Sequence, residues 1–99
     1  MFRATTPTHI FALPFDTSQL KEIRVTYAQG GETILSKTEA DCTLNGKEIR
    51  IQLTQEETLL FKPERVYIQL RVLTTDGNVM ASNIATVYAD NCLDEEVLS

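Results

Sequence analysis

A chain of 99 residues, 42% hydrophobic and 23% charged, suffices for one globular domain around a single core and leaves no room for two. Its net charge of −5, with Lys and Arg placed singly, speaks against nucleic acid, which demands clustered cations, and against an anionic membrane face. No secretory leader or membrane span is expected: Met1–Phe15 has no continuous apolar run, and the uncharged stretch Gly77–Ala89 falls short of the ~20 apolar residues a spanning helix needs.

Along the chain the main signal is a two-residue period. Thr8 to Leu13 reads as an opening strand that stops at Pro14, and Asp16 with Gln19 offers a weak helix start. Ile23, Val25 and Tyr27 then alternate with Glu22, Arg24 and Thr26. The Gly30-Gly31 pair turns the chain into a partner strand over Thr33 to Lys37, and Asn45-Gly46 marks another tight turn. Ile49, Ile51 and Leu53 alternate with Glu48, Arg50 and Gln52.

Thr54 to Leu60 breaks the pattern. Thr54 suits an N-cap and Glu57, three residues on, suits its reciprocal partner, so one or two helical turns are expected here. Val66, Ile68, Leu70 and Val72 resume the alternation. Asp76-Gly77-Asn78 then predicts a hairpin into a last strand over Val79 to Ala89. The expected fold is all-β: one antiparallel sandwich domain over residues 1–90, of about six to seven strands with one short crossover helix, followed by an acidic C-terminal tail, 91–99.

The residues that carry chemistry elsewhere read here as structural. His9 is the single histidine, sits in a strand, and no nucleophile occupies an elbow motif near it. Glu56 and Glu57 are neighbours in sequence and so do not share a helical face, while capping and the helix N-terminus account for both. Cys42, Cys92 and His9 lie too far apart for a zinc motif. Asp76-Gly77-Asn78 lacks the other ligands of a calcium loop, and Gly30-Gly31 matches no phosphate-binding motif. No catalytic, cofactor-binding or metal-binding residue is expected, and the chain reads as no enzyme. The two cysteines read as reduced thiols, with a bridge left open.

Surfaces remain. Exposed sheet edges recruit other chains by strand addition. Phe2, Phe11, Phe15 and Phe61 are either core or contact patch. Leu93, Val97 and Leu98 make the tail a candidate interface arm, to be set against simple fraying.

Thr6-Pro7-Thr8-His9-Ile10-Phe11 and Leu53-Thr54-Gln55-Glu56-Glu57-Thr58 occur together with Ile68-Gln69-Leu70-Arg71, Asp76-Gly77 and Ser82. This combination resembles small proteins of tailed bacteriophages and prophages, and is similar to the immunoglobulin-like N-terminal domain of phage baseplate upper proteins. The resemblance implies an immunoglobulin-like β-sandwich and a non-enzymatic structural or assembly role, through contacts with other phage structural proteins or with itself. It implies synthesis in the host cytoplasm and a place in the virion. The alternative is a free-standing binding module, adhesin-like or an inhibitor of a host protein.

Overall fold

Alternation decides the core. In the computed structural model, which describes residues 1–99, the inward positions of all three alternating runs are buried. Ile23, Val25, Tyr27, Ile49, Ile51, Leu53, Val66, Ile68, Leu70 and Val72 form one cluster with Phe61 and Ala89. Each such aliphatic side chain removed from water contributes about 1.5–3 kcal/mol.

The chain runs through β1 (Thr8–Ala12), β2 (Leu20–Gln29), β3 (Glu32–Thr38), β4 (Thr43–Asn45), β5 (Glu48–Gln52), α1 (Gln55–Thr58), β6 (Arg65–Thr74), β7 (Val79–Ala81) and β8 (Ala85–Tyr88). One sheet has the order β1-β5-β4. The other has β3-β2-β6-β7, with β8 also pairing β6. Every strand pair is antiparallel, and the core lies between the two sheets. The expected sandwich is therefore what the chain forms.

Local chemistry sets the turns. Gly30 and Gly31 both hold positive φ, 56° and 80°, which a two-residue hairpin turn with the right-handed twist of its strands requires. The Thr54–Glu57 capping box closes as expected: Thr54 Oγ1 accepts the Glu57 amide at 3.1 Å, and the Glu57 carboxylate accepts the Thr54 amide at 2.9 Å. The helix it starts is one turn long.

The expected last strand over Val79 to Ala89 is corrected to two. On the register of β7, where Arg71 faces Ala81, Ile68 would face Ile84; it faces Ala85 instead. Ser82 makes the break: its hydroxyl accepts the Leu70 amide at 3.0 Å, and its own amide donates to Leu70 O at 2.8 Å. One residue is absorbed there, which brings the strand count to eight.

Candidate binding site at a sheet edge

Two open sheets expose edges, and natural proteins block such edges with charge, bulges or shortness. The β3 edge carries Glu32 and Lys37, and its register with β2 shifts between Tyr27 and Ala28. The β4 edge is three residues long, and the edge formed by β7 and β8 is broken at Ser82–Ile84. The β1 edge differs. It is five residues, Thr-His-Ile-Phe-Ala, without Lys, Arg, Asp or Glu and without a register shift against β5.

The ladder fixes which of its backbone groups are free. Leu13 N–H donates to Lys47 O at 2.8 Å and Leu53 N–H to Pro7 O at 2.9 Å. Alternate residues of an antiparallel strand turn their N–H and C=O to opposite sides. His9 and Phe11 therefore face β5, while Thr8, Ile10 and Ala12 point their backbone groups outward, where no hydrogen bond within the chain meets them. The Ile10 side chain is 50% exposed.

Beside this edge the sandwich opens into a groove of about 290 Å³ between β1 and β7. Phe11, Leu13 and Phe15 form one wall, Met80 the other, and Leu70 and Val72 the floor; no charged residue lines it. The far rim is also unpaired. Thr74 N–H bonds Asn78 O and Ser82 N–H bonds Leu70 O, so the backbone groups of Val79 and Ala81 face away from β6. An apolar trough with free donors and acceptors on both rims suits an extended peptide better than a small polar substrate.

No known family model, curated protein or solved structure matches this chain.

Most of the residues weighed for chemistry are tied into hydrogen bonds within the fold. His9 Nδ1 lies 2.8 Å from the Tyr27 hydroxyl, and the rings stand 5.5 Å apart. Burial, reinforced by the positive chain terminus, lowers the histidine pKa below its ordinary value. Burial likewise raises that of Tyr27, so the phenol stays protonated. Glu57 would be pushed up by burial, but the Lys37 ammonium and the Thr54 amide overturn this and hold it low. Glu56 is exposed and takes no part in that network.

Cys42 and Cys92 are both free thiols. Cys42 donates to Thr38 O and Cys92 to Arg3 O, each at 3.2 Å. Burial, with Asp41 and Glu39 nearby, pushes the Cys42 thiol up to about 11. A second cavity of about 300 Å³ is lined by Glu22, Arg24, Glu39 and Arg71 as well as apolar side chains. Arg24 and Arg71 face each other across strands there, an arrangement that works against tight packing of that face.

The tail is docked on its own body. Arg3 donates to both Glu95 carboxylate oxygens at 2.7 and 2.8 Å, to Asn91 Oδ1 at 2.8 Å and to Phe61 O at 2.7 Å. Gln55 brackets Leu98, its amide donating to Leu98 O at 2.7 Å and its carbonyl accepting Leu98 N–H at 2.8 Å. The side chains singled out in sequence stay outside this clamp: Leu93 is fully exposed, Leu98 is 73% exposed and Val97 41%. Arg3→Ala should speed hydrogen exchange across residues 92–98 and cost about 1 kcal/mol, since the pair is only partly screened from water. Unchanged exchange in that segment would show that Gln55 and the Cys92 contact with the Arg3 carbonyl hold the tail without the guanidinium.

Sequence reasoning reached Phe11 and Phe15 as contact candidates but passed over Ile10 and Met80. A usable signal was present. The two longest uncharged stretches of the chain, Ala4–Phe15 and Gly77–Ala89, supply the two rims of the groove.

Proposed function

We propose that this chain is a non-enzymatic module that works by protein–protein contact, and that the β1 edge with its groove is the contact face. One observation carries the reading: a five-residue edge with outward, unbonded Thr8, Ile10 and Ala12 backbones, unguarded by charge, beside an uncharged groove. An unprotected edge of this kind is an association hazard unless something covers it. The resemblance to phage baseplate domains supports the narrower form, an assembly component whose partner is another virion protein.

The test places a photo-crosslinking amino acid at Ile10 or, as a control on the opposite edge of the same sheet, at Thr43, in cells that make the protein. A discrete adduct with a polypeptide, another protein or a second copy, is expected at Ile10 alone. No adduct at Ile10, or equal adducts at both positions, overturns the reading.

A further inference from the structure

The strand order shows what the groove is shaped for. An immunoglobulin-type sandwich has sheets A-B-E-D and C-F-G, with C′ added beside C in some members. Here β1-β5-β4 takes the places of B-E-D, and β3-β2-β6-β7 those of C′-C-F-G. Chain order agrees: β2–β3, β4–β5 and β6–β7 are the hairpins, and the chain changes sheet at β1 to β2, β3 to β4 and β5 to β6. No strand of this chain takes the place of A, on the free side of β1. Upstream of β1, only Phe2 makes a bridge, parallel to Asp90 beyond the end of β8.

We propose that this position accepts a strand from another protein: an extended, uncharged segment of about five residues that pairs antiparallel with β1 and places two apolar side chains, two residues apart, in the groove. This rests on the binding reading above and specifies its partner. Thr8, Ile10 and Ala12 present N–H and C=O groups in the spacing such a strand reads. The volume fits: a dry cavity of about 150 Å³ takes one benzene, so 290 Å³ accommodates two side chains of leucine or phenylalanine size. The lining has no cation or carboxylate to offset an incoming charge, so a charged side chain would be desolvated unpaired.

The chain's own tail does not meet this description. Extended, it puts Leu93, Glu95 and Val97 on one face, which drives a carboxylate into the uncharged trough. Glu95 is already bound by Arg3. The tail is therefore not the strand that this position accepts.

The probe is the synthetic peptide acetyl-Ser-Thr-Ile-Thr-Leu-Thr-Ser-amide, titrated into the full chain and followed by amide hydrogen exchange. Expected is new protection at Thr8, Ile10 and Ala12, with binding at least about tenfold weaker when the peptide's Ile is replaced by Asp. Ile10→Pro should abolish binding while the fold survives, because the Ile10 N–H bonds nothing inside the chain and proline is tolerated on edges. Methylating the peptide's own strand-pairing amides should abolish binding too, a result that does not depend on how the variant folds.

No binding, no protection at those amides, or equal binding by the Asp or methylated peptides overturns the proposal. A crosslink at Ile10 that persists alongside such a result would leave the contact face standing, used through side chains without strand pairing. Loss of both would remove the binding reading as well.

Discussion

Phe61→Ala should destabilise the protein by about 3–5 kcal/mol, the cost of deleting a buried aromatic and leaving its cavity. A domain of this size has roughly 5–15 kcal/mol in total, so the variant should lie near its unfolding threshold. Phe61 is 1% exposed, and its ring stands 5.9 Å from that of Tyr27, closing the core where the chain leaves α1 for β6. Its carbonyl also accepts the Arg3 guanidinium, which links the plug to the tail clamp. Thermal unfolding should shift down by more than about 12 °C. Phe2→Ala, at a side chain 56% exposed, should leave the midpoint nearly unchanged. Equal shifts for the two would mean that Phe61 does not seal the core.

That contrast marks the limit of composition. Four phenylalanines look alike in a sequence, yet one is buried, two are half-buried along the groove and one is exposed. Periodicity discriminates better because it encodes geometry. Every inward position of the three alternating runs is in the core, since a strand of period two has only one face to give it. The turn and cap chemistry at Gly30-Gly31 and Thr54–Glu57 was equally readable, because each is satisfied within a few residues.

The strand break at Ser82 was not readable. It depends on a hydroxyl meeting the amide of Leu70 on another strand, a long-range event that leaves no local signature. The groove falls in the same class: which edge lies open depends on which strands pair, not on the residues of β1 alone. Absence of charge in Ala4–Phe15 and Gly77–Ala89 was visible, but only the topology says that these two segments meet. How the tail docks on its own body was not readable either: the groups that hold it are Asn91, Cys92, Glu95 and the Leu98 backbone, while the exposed Leu93, Val97 and Leu98 side chains take no part in that contact.

His9→Ala should cost about 1–3 kcal/mol at pH 7.5, because it leaves the buried Tyr27 hydroxyl without its partner. Tyr27 is fully buried, and its hydroxyl's one hydrogen bond is to His9 Nδ1. A neutral imidazole offers Nδ1 as an acceptor for the phenol, and protonation removes that lone pair. The folded histidine pKa lies below its unfolded value of 6.5, so below about pH 6.5 the unfolded chain binds the proton that the folded chain refuses. The stability that His9 contributes is therefore present above pH 6.5 and lost as pH falls through its folded pKa. His9 is the one histidine, and the carboxylates held away from their ordinary values, Asp16, Glu39, Glu57 and Asp76, all shift downward. The fall in urea stability from pH 7 to 5 thus belongs chiefly to His9. His9→Gln, which keeps an acceptor but cannot titrate, should flatten it. Adding Tyr27→Phe to His9→Ala should recover much of the loss at pH 7.5, because the orphaned hydroxyl is gone. A double variant that loses the sum of both single costs would show that His9 and Tyr27 stabilise the core independently.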